Sequence, residues 1–317
     1  MVYFSERLKD GDNVKEEKMR DKLDKVIKTT KTLIDLPYNR FNLENCFPII
    51  HRNGLNPNTI DTAQNLPIKL MSGNNFYSRI ITSNYFPNKK KNIYIVGKGI
   101  LFDSGGLNLK DRHMEDMTND KAGAIIALNV ANYLKGNVIA FCPFTTNLIQ
   151  NSKITPGDEL NIGKKTVKVT NTDAEGRLIL AEALSMLKPN KDDIIITLAT
   201  LTGCAAYAVG EEATAVLGEN EELLKLYAEA SFEAKELAWA LPLWNHYQKK
   251  YYDKKLIENS VNAIKCGTSE AALFVKQFIS YPNQWIHLDI AYSSFTNKKA
   301  NGVPIRSLIN FIRKLNE

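Results

Sequence analysis

The chain has 317 residues, 44% hydrophobic and 24% charged, enough to bury a sizeable core in one large domain or two moderate ones. Forty-one Lys and Arg against thirty-five Asp and Glu leave a formal charge of +6, mild and scattered, which argues against a nucleic-acid partner. No CxxC pair, no apolar signal core and no uncharged stretch long enough for a bilayer are present, so a disulfide scaffold, export and membrane insertion are not expected. A reducing, cytoplasmic location is expected instead.

Apolar residues at Met19, Leu23, Val26, Ile27, Leu33 and Ile34 have the spacing of an amphipathic helix over 14–34, ended by Pro37. From there to Asn92 the pattern is weak and reads as a small α/β segment or a linking region; Lys89-Lys90-Lys91 reads as solvated linker. After Ile93 short apolar runs alternate with helical patterns. Strands are expected at 93–96, 138–142, 194–198 and 285–290, apolar enough to be covered on both faces. Helices are expected near 121–135, 176–188, 220–239, 269–280 and 305–315. Thr166 to Thr170 alternates and follows Gly163, as one arm of a hairpin would. Cys142 and Cys204 close apolar runs and read as small buried hydrophobes. The fold class is α/β, with a mixed, mostly parallel sheet flanked by helices. Ligands in such sheets gather at the carboxyl ends of strands.

Three short runs, 97–110, 117–120 and 171–177, gather the chemistry. They hold four carboxylates (Asp103, Asp120, Asp173, Glu175) and three cations (Lys98, Lys110, Arg177) among Gly and turn residues. Such a cluster does not stay ionised in a cleft without compensating positive charge, and divalent ions are the usual compensation. Two ions can share such a set. GxxxxGK[ST] and GxGxxG are both absent, which removes the nucleotide-loop readings. Asp173 and Glu175 are two apart, so an extended segment turns both to one face, to grip one metal or bridge two. Gly176 opens a helical pattern, and Arg177 in its first turn is placed to hold a small anion. His51, His113, His246 and His287 stand outside the three runs, so a structural zinc site is not expected. Oxygen donors suit Mg²⁺ and Mn²⁺, while Zn²⁺ and Co²⁺ are compatible with carboxylate-rich two-metal sites. Lys98 qualifies as a ligand only as the neutral amine, a form that adjacent dications favour. Taken singly, an Asp or Glu is more often a cap, a turn former or a surface charge, and Asp173 is a candidate N-cap. The spaced set carries the reading.

The run Asn171-Thr172-Asp173-Ala174-Glu175-Gly176-Arg177-Leu178 is identical to the signature of the M17 family of leucyl (cytosol) aminopeptidases, and 96–106 is similar to that family's first metal motif. Further similarities at 155–158, 199–203, 287–291 and 302–306 follow in the family's order, so the resemblance covers about 91–317. It implies a catalytic domain over 91–317, preceded at 1–90 by a short helix and linking segment in place of most of the family's N-terminal domain. It implies that Asp103, Asp173 and Glu175 hold one metal, and Lys98, Asp103, Asp120 and Glu175 the other, as Mn²⁺ or Zn²⁺, with Mg²⁺ and Co²⁺ as further choices. Lys110 resembles the lysine that stabilises the oxyanion, and Arg177 the arginine that binds bicarbonate. Met117, Thr200, Gly203 and Ala291 align with the side-chain pocket. The implied activity is removal of N-terminal residues from short peptides, in a homo-oligomer that in the family is a hexamer. The competing expectation is a weak or inactive relative with an assembly or DNA-binding role. Three residues depart from the family pattern: Lys121, where an apolar residue is usual, bears on the second metal and on pH dependence, while Tyr292, where Gly is common, and Ser294, in place of a larger pocket residue, bear on the preference for leucine.

Overall fold

The computed structural model describes residues 10–75, 77–83, 91–112, 114–247, 252–253, 256–260 and 265–317. The first third holds α1 (Asp10–Ile34), α2 (Cys46–Arg52), β1 (Pro57–Ile60), α3 (Pro67–Met71), β2 (Arg79–Ser83), β3 (Ile93–Gly97) and β4 (Gly99–Asp103). A 3-10 segment (Met114–Lys121) then leads to α4 (Ala122–Leu134), β5 (Val138–Asn147), β6 (Glu159–Ile162), β7 (Lys165–Lys168), α5 (Glu175–Met186) and β8 (Ile194–Ala199). There follow α6 (Cys204–Val209), β9 (Thr214–Gly218), α7 (Glu221–Ala234), β10 (Ala238–Ala240), β11 (Tyr252–Asp253), β12 (Leu256–Glu258) and α8 (Gly267–Lys276). The chain closes with β13 (Trp285–Asp289), β14 (Phe295–Thr296), β15 (Lys299–Ala300) and α9 (Ile305–Lys314).

The main sheet runs β1-β2-β5-β3-β8-β13-β9-β10, with β4 also paired to β5. Its centre is parallel: β5 with β3, β3 with β8, and β8 with β13. Antiparallel pairs lie outside that centre, at β1/β2, β2/β5 and β13/β9. Helices cover both faces, which is why the central strands are apolar at nearly every position. On one face Ile286 and Leu288 of β13 join a core with Leu33 and Ile34 of α1, Ile125 of α4, and Leu308 and Ile312 of α9. On the other, Trp285 joins Ile179 of α5 and Phe274 of α8. In α9, Ile305, Leu308, Ile309, Phe311 and Ile312 form the buried stripe, and Arg313 and Lys314 stand at the helix C-terminus, where cations are favoured.

Helix α4 approaches the sheet more closely than a side chain would allow. A Cβ on Gly123 would lie 2.2 Å from the Leu198 carbonyl oxygen, and one on Gly97 would lie 2.4 Å from the Gly123 carbonyl oxygen. Only glycines at both positions let α4 lie directly on the ends of β3 and β8.

The four expected strands, the five expected helices of 121–315 and the β6/β7 hairpin are all present. Differences have local causes. The helix expected over 220–239 stops at Ala234, because Lys235 takes a left-handed conformation (φ 56°), and the remainder becomes the short edge strand β10. The extended segment expected at 173–175 is instead a turn leading into α5, with Glu175 the first helical residue. The N-cap there is Ala174, not Asp173. Residues 57–83, weakly patterned in sequence, supply β1 and β2, so the main sheet continues on the N-terminal side of residue 91. Lys89, Lys90 and His113 lie outside the described residues.

Candidate metal and active site

Lys98 occupies the break between β3 and β4. Its backbone N–H prolongs the β3/β8 ladder by donating to the Leu198 carbonyl (3.0 Å), and its carbonyl accepts from Ala124 N–H at the start of α4 (2.8 Å). The side chain is buried and its Nζ is pinned three ways: Asp120 Oδ1 (2.8 Å), Glu175 Oε1 (2.8 Å) and the Thr200 carbonyl (2.9 Å). The stem passes over Gly176, where a Cβ would lie 2.6 Å from Lys98 Cε. Asp103 ends β4; its Oδ1 accepts from Gly105 N–H (2.9 Å) and Asn147 Nδ2 (2.7 Å), and its Oδ2 meets Lys110 Nζ at 2.8 Å. Lys110 also donates to Asp173 Oδ1. Thr200 Oγ1 donates to Asp120 Oδ1 (2.7 Å), while Asp120 Oδ2 is buried with no hydrogen-bond partner among the described residues.

Two ammonium groups thus face four carboxylates. Burial opposes charge on Lys98, but Asp120, Glu175 and Asp103 outweigh it and hold its pKa above the ordinary lysine value. The same balance, led by burial against Asp103, Glu175 and Asp173, raises Lys110. Burial and the crowding of Glu175 and Asp103 push Asp120 up to about 8, although Lys98 pulls it down. Asp173 is pushed up to about 7 by burial and by Glu175 and Asp103, against the pull of Lys110. One oxygen from each of Asp103, Asp173 and Glu175 lies within 4.8 Å of the other two. An all-oxygen triad, with an orphaned carboxylate oxygen of Asp120 beside it, fits divalent cations.

This floor opens into a cleft of about 800 Å³. Met117, Thr200, Gly203 and Ala291 all line it, with Lys98, Asp103, Lys110, Asp120, Asp173 and Glu175. Arg177 is not among the lining residues; its Nη1 donates to the Asn259 carbonyl (2.9 Å). Asn259 in turn donates through Nδ2 to the carbonyls of Asn171 (2.7 Å) and Ala174 (3.2 Å), steadying the turn that carries Asp173. Asn147 and Asn259 escaped sequence reading, because an isolated Asn at or just past a strand end has no spacing to mark it; Asp289 lay inside the 287–291 similarity but had no role assigned to it. Lys121 is fully buried and turns away from the cluster, donating to the Leu36 carbonyl (2.9 Å) and to the Thr118 carbonyl. Burial lowers its pKa to about 7, against Asp35 and Asp120. Tyr292 lines the cleft, its hydroxyl 3.9 Å from where a Cβ on Gly203 would stand. Ser294 is buried and donates to the Val303 carbonyl at 3.0 Å.

Known proteins resemble this chain both in overall sequence and in fold. Residues 63–309 match the cytosol aminopeptidase family, catalytic domain. The chain belongs to that family. It is 38% identical to a probable cytosol aminopeptidase of Geobacter sp. (strain M21), over 71% of this chain and 49% of the relative. It is 34% identical to one from Buchnera aphidicola, over 70% of this chain and 46% of that one. The chain therefore spans about half the length of the curated relatives it matches. Among solved structures, the bottromycin maturation enzyme BotP in complex with Mn superposes with a TM-score of 0.81 at 26% identity, covering 93% of this chain and 71% of that one. Leucyl aminopeptidase from Leishmania major in complex with actinonin shares the fold, with a TM-score of 0.81 at 23% identity over 91% of this chain and 61% of its own. No helix among the described residues is long and apolar enough to cross a membrane.

Proposed function

We propose that this member of the cytosol aminopeptidase family releases N-terminal amino acids from short peptides with two divalent ions. The observation that supports it most is the convergence of Asp103, Asp120, Asp173 and Glu175 with Lys98 and Lys110 on the floor of one cleft. Asp103, Asp173 and Glu175 would hold one ion; Lys98, as the neutral amine, would join Asp103, Asp120 and Glu175 around the other. When bound, the ions supply Lewis-acid activation of water and of the scissile carbonyl. A Mn-bound neighbour of the same fold makes Mn²⁺ the first choice, with Zn²⁺ next.

The chain's own groups do the rest. Lys110 lines the cleft floor, where its ammonium offers a hydrogen bond to oxygen charge developing on the substrate carbonyl. Asp120 meets the free amine of the substrate, which restricts cleavage to the first peptide bond. Met117, Thr200, Gly203 and Ala291 receive the N-terminal side chain. Arg177 is the family's bicarbonate arginine by resemblance, and its guanidinium donates to the Asn259 carbonyl. A cytoplasmic homo-oligomer, hexameric as in the family, completes the proposal. A noncatalytic assembly or DNA-binding role has no support among the relatives.

The test is hydrolysis of leucine-p-nitroanilide and a small dipeptide panel with Mn²⁺, Zn²⁺ or EDTA. Metal-restored turnover that disappears in Asp173→Ala is expected. A folded protein that turns over nothing with any metal overturns the proposal.

A further inference from the structure

Asp289 lies at the end of β13, 1% exposed, level with Ala199 at the end of β8. Both of its carboxylate oxygens are used twice. Oδ1 accepts from Leu201 N–H (3.1 Å) and Ala291 N–H (3.2 Å); Oδ2 accepts from Thr202 N–H (3.0 Å) and Thr202 Oγ1 (2.7 Å). These donors sit on two separate stretches of chain, 201–202 after β8 and 291 after β13, and all three residues line the cleft. Thr202 Oγ1 also shares a hydrogen bond with Thr268 Oγ1 at the start of α8 (2.7 Å). The pocket residues Thr200 and Gly203 flank the bonded pair, and Tyr292 follows Ala291.

We propose that Asp289 is a positioning residue that ties the two walls of the side-chain pocket to one point, and so sets which N-terminal residue is accepted. The inference rests on the aminopeptidase reading and extends it to specificity. Acceptor count is what makes the carboxylate irreplaceable here. A carboxylate faces four donors with two acceptor oxygens. An amide presents an NH₂ group on one side, and whichever way it turns, that group opposes the donors at the oxygen it replaces: Leu201 from one wall and Ala291 from the other at the Oδ1 position, or the two Thr202 donors at the Oδ2 position. Asp289→Asn keeps the shape yet releases either the Leu201/Ala291 pair or the Thr202 pair. Walls whose common anchor has lost two of its four hydrogen bonds grip a large N-terminal side chain less well, while the carboxylates and lysines of the floor remain in place.

The experiment compares wild type, Asp289→Asn, Thr202→Val and Thr202→Ser on leucine- and alanine-p-nitroanilide, with metal content measured for each. The expected result is a change of about tenfold in the leucine-to-alanine ratio of kcat/KM for Asp289→Asn, carried by KM and at unchanged metal content. Thr202→Val, which removes one of the four donors, is expected to shift the ratio in the same sense by less, and Thr202→Ser to restore it. Should Asp289→Asn fail to fold, the Thr202 pair decides. Equal loss on both substrates, or an unchanged ratio, overturns the proposal. Binding of free L-leucine against L-alanine, measured by calorimetry, reads the same pocket without turnover. If wild type hydrolyses nothing, the aminopeptidase function fails, and this binding ratio alone decides the role of Asp289.

Discussion

Lys110 shows how much one side chain is asked to do. It neutralises Asp103 and Asp173 and also faces the cleft. Lys110→Ala is expected to lower kcat by about 10²–10³, the usual cost of removing an oxyanion donor, with the far-ultraviolet spectrum unchanged. A loss below threefold in steady-state kinetics would remove it from the reaction. Glu182 illustrates a different use of a buried carboxyl. Its Oε2 accepts from Ile68 N–H (2.8 Å) and so caps α3 from α5, and burial raises its pKa from 4.5 to about 8, against that bond. The folded state therefore holds a proton that the unfolded chain has lost, across the interval between those two values. The stability from this group is complete below the lower value and disappears as pH rises through the upper one. Glu182→Gln should remove a slope of about 1 kcal/mol per pH unit over that interval. Urea unfolding of both proteins at pH 5, 6, 7 and 8 checks it, and parallel curves would refute it.

Among the elements, α4 carries the tightest constraint. Gly123 leaves no room for a methyl group against Leu198. Gly123→Ala should push α4 off β8, cost about 3 kcal/mol or more, and separate Asp120 from Lys98, so that the urea midpoint and the turnover fall together. An unchanged midpoint would show that the contact yields freely. For α9 the expectation is ordinary cavity energetics: Phe311 is fully buried against Tyr227, ring centroids 5.3 Å apart, and Phe311→Ala should cost about 3–5 kcal/mol in the same assay.

For the molecule as a whole, the sheet sets the limits of what folds. β2 pairs with β5, and Leu33 and Ile34 of α1 lie in the core. A chain cut before residue 91 should therefore fail to give a cooperative unfolding transition, and a sharp transition in the truncated chain would contradict this. The sequence made the central strands legible because burial on both faces writes continuous apolar runs at Ile93, Val138, Ile194 and Trp285. It left β1, β2 and β10 unread: their stretches are short, mixed with polar residues and decided by partners far along the chain. The charged cluster was legible as a spaced motif. Its anchors Asn147 and Asn259 were not, nor was the role of Asp289 beneath the pocket walls, because their meaning arises only when strand ends are brought together.

The contact between Lys98 and Gly176 joins two motifs that are remote in sequence. With its amine held by Asp120, Glu175 and Thr200, Lys98 cannot retreat, so any side chain at 176 must be matched by a shorter residue at 98. Neither motif can be redesigned or grafted by itself. Anyone who transplants this centre to another scaffold has to carry both segments, and the register between β3 and α5, as one part.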